Sequence, residues 1–271
     1  MPVIHDKKAF EKAVPILATD TKRLPRLVAK LTPAQRRWVD GGDFEGRPFT
    51  HCTVPDGKGE VAFVLAGVRD GDDPWALAHL PLKLAPGRYE LGKGPVTIAP
   101  DKAAFAWSLG SYQYARYKKS RRKPASLQID PSAKVTDALG LADAVTLVRD
   151  LVNTPAEDMG PAELSDILRE HAEQFGAEFD EWVGDELLAQ NFPAIHAVGR
   201  AATRAPRLLE LNWGNPKHPR LAIVGKGVCF DSGGLDIKTA DGMRLMKKDM
   251  GGAAHAIALA RLVMQRKLPY R

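Results

Sequence analysis

Leu221-Ala-Ile-Val-Gly-Lys-Gly-Val-Cys-Phe-Asp-Ser-Gly-Gly-Leu-Asp-Ile-Lys238, continued by Met246-Lys-Lys-Asp-Met-Gly-Gly-Ala-Ala254, decides how the rest of this chain is read. The apolar run Leu221–Val224 reads as a buried strand that opens into Gly225-Lys226-Gly227. In open α/β sheets ligands bind beyond the carboxyl ends of strands, so Lys226 stands where chemistry is usually placed. Two phosphate-binding readings fail on spacing. A Walker loop needs Ser or Thr after its lysine, but Gly227 follows Lys226; a dinucleotide fingerprint needs a third glycine where Phe230 stands. The acidic residues fit better. Asp231 follows Lys226 in a glycine-bearing loop, and Asp249 comes just before a helical stretch. Carboxylate oxygens suit Mn²⁺, Mg²⁺ or Zn²⁺, and a lysine amine can join them if its pKa is lowered. Plainer roles stay open: Asp249 as a helix N-cap, Asp231 as a turn former, Lys226 as a surface charge.

Moving outward, the chain has 271 residues, 44% hydrophobic and 27% charged, which is the composition of a globular protein with room for two domains. No apolar run approaches the ~18–20 residues that span a bilayer, and the first residues carry no signal-peptide core. Cys52 and Cys229 form no CxxC pair, which excludes a cysteine-based zinc site and a disulfide scaffold and suits a reducing cytoplasm. The formal charge of +6 is a modest excess, and the one dense basic stretch, Lys118-Lys-Ser-Arg-Arg-Lys123, is read as a solvated loop, with nucleic-acid contact as the rival.

Strand signals fall at 61–68, 95–100, 126–129, 177–183, 194–198, 207–213 and 220–224. Helix signals fall at 101–118, at 131–152, at 161–175 between Pro161 and Gly176, and at 251–266, the last expected to be buried on most faces. This alternation argues for an α/β layered protein. His255 and Cys229 read as packing residues.

The wording of 224–238 and 246–254 closely resembles the leucyl aminopeptidase family (M17, cytosol aminopeptidases). Arg149-Asp-Leu-Val-Asn-Thr-Pro155 and Phe192–Ala202 followed by Pro206–Leu211 extend the likeness. The resemblance implies a small N-terminal α/β domain (1–130), a linking helix (131–152) and part of an α/β metallopeptidase domain (153–271). It implies Lys226, Asp231 and Asp249 as ligands of two divalent ions, Mn²⁺ or Zn²⁺, with Asp231 bridging, and Lys238 as the catalytic lysine. Met246 matches a substrate-pocket position, with an ordinary core methionine as the alternative. A cytoplasmic hexamer acting on peptides is implied for the full-length enzyme. The family's second ligand motif, Asn-Thr-Asp-x-Glu-Gly-Arg, does not occur here; the only Asn-Thr is Asn153-Thr154, followed by Pro155. The chain is therefore expected to be a fragment, inactive alone. A binding or regulatory protein, acting through the basic run or as a subunit of an intact peptidase, is the alternative.

Overall fold

The computed structural model describes residues 2–235 and 237–271. They form two units, dividing between Asp143 and Ala144.

The first unit is built on six strands: β1 (Val3–Ile4), β2 (Val14–Thr19), β3 (His51–Pro55), β4 (Val61–Gly67), β5 (Arg88–Leu91) and β6 (Ser126–Gln128). Their order is β1-β6-β5-β2-β4-β3, parallel throughout except for the antiparallel edge strand β3. Helices α1 (Leu24–Val28), α2 (Pro33–Gly41) and α3 (Pro100–Gly110) cover it. The period-2 pleat sorts side chains between two cores. Ile16, Ala18, Val64 and Ala66 join Ala103, Ala104 and Trp107 of α3 on one side. Leu17 and Leu65 join Leu24, Leu27, Val39 and Phe44 on the other. Trp107 is fully buried, and its indole N–H donates to the Ala125 carbonyl at 2.9 Å. Thr32 and Gln35 form a reciprocal capping box, with Pro33 inside the first turn, so α2 starts where its sequence says.

Two expectations in this unit need correction. The segment 95–100 is not a strand. Val96 donates to the Ala18 carbonyl at 3.0 Å, but Pro95 has no N–H to continue a ladder. The helix expected over 101–118 ends at Gly110. There the chain touches the backbone of residue 78 so closely that an added Cβ would sit 1.8 Å from the Ala78 oxygen. Ser111 caps the end, and its hydroxyl donates to the Trp107 carbonyl at 2.7 Å. The basic run 118–123 follows as an exposed, irregular loop.

His79 carries the clearest pH prediction in this unit. Burial, opposed by its bond to the Thr50 carbonyl, and the nearby His51 and Lys83 push its pKa down to about 4. Its Nδ1 is buried with no hydrogen-bond partner among the described residues. A histidine held neutral in the fold stabilises it fully above the unfolded value of about 6.5, and that contribution is lost as pH falls toward the folded value. Because the ring is partly exposed, we expect about 2 kcal/mol rather than the full shift. Urea unfolding at pH 7 and pH 4.5 should show a steeper acid loss in the parent than in His79→Gln; parallel losses would refute the assignment.

Helix α4 (Ala133–Asn153) runs across the boundary between the units. The second unit continues with α5 (Pro161–Phe175), β7 (Glu178–Val183), α6 (Glu186–Ala189), α7 (Pro193–Gly199), β8 (Arg207–Asn212), α8 (Ala240–Arg244), a 3-10 turn (Met246–Met250) and α9 (Gly251–Gln265). Strands β7 and β8 pair antiparallel. Helix α5 opens on Pro161, with the Gly160 N–H donating to the Glu163 carboxylate at 2.8 Å, and closes at Gly176 in the left-handed region. Leu151, Leu164, Leu168, Met250, Ala254 and Ile257 pack into its core.

Three expectations are corrected here. Residues 194–198 are helical, not a strand: Pro193 sits in the first turn of α7, and so short an apolar run does not distinguish the two periods. Leu221–Val224 is not a buried strand; Val224 is 93% exposed. Among the described residues this stretch bonds to the end of the chain, with the Leu221 N–H donating to the Arg271 carbonyl and the Arg271 N–H to the Pro219 carbonyl, both at 2.9 Å. Helix α9 is not buried on most faces either. Ala254, Ile257, Ala258 and Met264 are inside, while Leu259 is half exposed.

Candidate active site

The segment 225–227 reaches α9 backbone to backbone. A Cβ on Gly225 would lie 2.5 Å from the Gly252 oxygen and 2.6 Å from the Ala253 Cα. The Ala253 N–H donates to the Lys226 carbonyl at 2.9 Å. This contact brings Lys226 to Asp249, which lies in the 3-10 turn just ahead of α9. The Lys226 ammonium donates to Asp249 Oδ2 at 2.9 Å, and the Lys248 ammonium to Oδ1 of the same carboxylate, also at 2.9 Å. In the adjoining loop the Lys238 ammonium donates to Asp231 Oδ2 at 2.7 Å, and the Gly233 N–H to Asp231 Oδ1 at 2.7 Å.

The sequence-predicted residues thus fall into two pairs, Lys226 with Asp249 and Lys238 with Asp231. The pairs sense each other, since the Asp249 charge opposes ionisation of Asp231. Hydrogen bonds from Lys248 and Lys226 hold the Asp249 carboxyl down at about 2. The bonds from Lys238 and Gly233 keep the Asp231 carboxyl below its usual range. Both acids are therefore anionic at neutral pH. Asp249 is not the cap of α9, whose N-cap is Met250 without a side-chain bond. Asp231 does hold a local turn through Gly233, so its plainer role is realised alongside its pairing with Lys238.

Met246 is 5% exposed and packed inside. Cys229 is buried, its thiol pushed up to about 11 by that burial, so it is protonated and unreactive at neutral pH. His255 is exposed, its Nδ1 lying 2.6 Å from the Gly251 carbonyl of its own helix. Sequence reasoning missed Lys248. Its signal was its position, next to Asp249 in a Lys-Lys-Asp run. Beside the cluster opens a cleft of about 1050 Å³, bordered by Lys226, Cys229 and Ile223 and walled by apolar residues of α5, β8 and α9 such as Leu164, Leu209 and Ile257.

The donor chemistry suits a hard divalent cation: two ionised carboxylates with a lysine amine beside one of them. Among the described residues no group of three or more His, Cys, Asp or Glu side chains converges.

Comparison with known proteins places the chain among the peptidases. A profile described as the cytosol aminopeptidase family, catalytic domain, matches residues 146–271, and one described as the M17 aminopeptidase N-terminal domain matches residues 14–130. The chain belongs to the M17, or cytosol aminopeptidase, family. A probable cytosol aminopeptidase of Sinorhizobium medicae (strain WSM419) is 36% identical over 256 residues, covering 83% of this chain and 51% of that protein. The crystal structure of cytosol aminopeptidase from Coxiella burnetii, 40% identical, superposes on 99% of this chain and 58% of its own with a TM-score of 0.92. The bottromycin maturation enzyme BotP, described in complex with Mn, is 28% identical with a TM-score of 0.75 over 96% of this chain and 58% of its own. The chain thus spans little more than half the length of these relatives.

Proposed function

We propose that this chain carries the amino-terminal domain and the first part of the metal centre of a metal-dependent aminopeptidase, which releases N-terminal residues from peptides in the cytoplasm. One observation carries the reading. In a chain of this family, Lys226, Asp249, Asp231 and Lys238 lie in two ion pairs close enough to influence each other's charge. Asp231 and Asp249 would hold two divalent ions, Mn²⁺ or Zn²⁺, with Lys226 as a third ligand and Asp231 shared between the ions. Bound there, such ions supply an acidified water and a hold on the substrate amine. The chain's own contribution is electrostatic: the Lys238 ammonium, once released from Asp231, would face the scissile carbonyl and stabilise negative charge growing on its oxygen. Met246 would border the side-chain pocket. In the full-length enzyme we expect a hexamer.

These 271 residues contain no Asn-Thr-Asp-x-Glu-Gly-Arg. We therefore expect them by themselves to bind metal weakly and to release no amino acid. Calorimetric titration with Mn²⁺ and with Zn²⁺, on this chain and on the Asp231→Ala, Asp249→Ala double variant, tests the reading alongside a leucine-anilide assay. Binding by the parent, lost in the double variant and unaccompanied by hydrolysis, is the expected result. Equal binding by both proteins would refute the ligand assignment, and turnover by the parent would refute its inactivity.

A further inference from the structure

Asp249 is the most enclosed of the paired groups in the cluster. Its side chain is 18% exposed, while the lysines on it are 62% (Lys226) and 64% (Lys248) exposed. Each carboxylate oxygen is already occupied by an ammonium, Oδ2 by Lys226 and Oδ1 by Lys248. A divalent cation approaching Asp249 from solvent therefore competes with both for the carboxylate's charge and lone pairs. The two lysines differ in what they can do next. Lys226 is the lysine that the metal reading keeps as a ligand. Lys248 neighbours Asp249 in sequence and reaches Oδ1 on a largely solvated stem. As an ammonium it has three donors and no lone pair, so it can only compete. Lys247, the preceding residue, is committed elsewhere: its ammonium donates to the Asn153 carbonyl at 3.1 Å.

The geometry points to Lys248 as a displaceable cap on Asp249, a positioning residue that sets how readily a divalent cation takes that carboxylate. This rests on the metal reading above. The cap offsets the charge of the carboxylate, and an incoming cation competes with it there. Removing it frees one oxygen and subtracts a like charge from the neighbourhood of the incoming cation.

The test is a calorimetric titration with Mn²⁺ alone, on the parent chain and on Lys248→Met, Lys248→Arg, Lys247→Met and Asp249→Asn. Lys248 is exposed, so its variants keep the fold, which circular dichroism checks. We expect Lys248→Met to bind Mn²⁺ about two- to fivefold tighter, the range set by an exposed ion pair. Lys248→Arg should restore parental affinity, and Lys247→Met should leave it unchanged. The gain should shrink as salt is raised from about 0.01 M to 1 M, since screening weakens an exposed pair. Equal or weaker binding by Lys248→Met, with Asp249→Asn still abolishing it, overturns the cap and leaves the metal site standing. Undiminished binding by Asp249→Asn overturns the metal reading instead, and binding by none of the proteins overturns both.

Discussion

Trp107→Ala should destabilise the first unit by about 3–5 kcal/mol, the cost of emptying a fully buried aromatic position. The indole lies at 0% exposure on the α3 face of the sheet, 6.3 Å between centroids from the Tyr89 ring, and it is the link between α3 and the backbone leading into β6. Two losses add: the transfer and packing energy of the ring, and the hydrogen bond that satisfies the Ala125 carbonyl. Trp107→Phe separates them, since it keeps most of the ring and drops only the donor. About 1–3 kcal/mol is expected there. Urea unfolding followed by circular dichroism reads both variants. A loss below about 1 kcal/mol in Trp107→Ala would mean that the core closes over the cavity, contrary to the close packing proposed. The domain has only about 5–15 kcal/mol to lose, so the alanine variant should be partly unfolded at 37 °C.

The second large effect is expected at Glu181, on β7. Its carboxylate accepts from Arg207 on β8 through one oxygen and from Arg169 on α5, at 2.8 Å, through the other. Its side chain is 14% exposed and that of Arg207 is 24% exposed. Burial works to raise its pKa, but the bond from Arg207 and the charges of Arg207 and Arg169 outweigh it and hold the group below its usual range. Arg169 also lies over the Phe179 ring, 4.9 Å from its centroid. Glu181 thus fastens α5 to the two-stranded sheet that walls the cleft. Glu181→Ala leaves Arg207 mostly enclosed without this counter-charge. Breaking a fully buried pair costs about 3–5 kcal/mol; with this partial exposure we expect about 2–3 kcal/mol. Hydrogen exchange should show the loss in α5, β7 and β8. Protection unchanged in those elements would show that the three groups are an ordinary surface network.

How much of this was legible depended on whether a segment announces its own ends. Helix α5 did, through Pro161 and Gly176, and β4 did, through an apolar run closed by a turn-rich segment. Segments 95–100, 194–198 and 221–224 did not. Each is a short apolar run whose state is set by what lies beside it. Pro95 interrupts the first, Pro193 starts a helix in the second, and the third finds little backbone to pair with among the described residues. In the site, the motif from Lys226 to Asp249 singled out four residues that the fold does gather into ion pairs. Lys248 stood in plain view but carried no role, because its importance comes from the direction of one side chain and not from its spacing.

The contact between Gly225 and Gly252 closes off hereditary change at two positions. A would-be Cβ meets backbone at 2.5 Å on Gly225 and at 2.9 Å on Gly252, so no side chain remains to be exchanged for a similar one. Most interior positions drift through a series of tolerated shapes. These two admit hydrogen alone, so descendants of this chain could vary the walls of the cleft freely while inheriting the spacing between Lys226 and Asp249 unaltered.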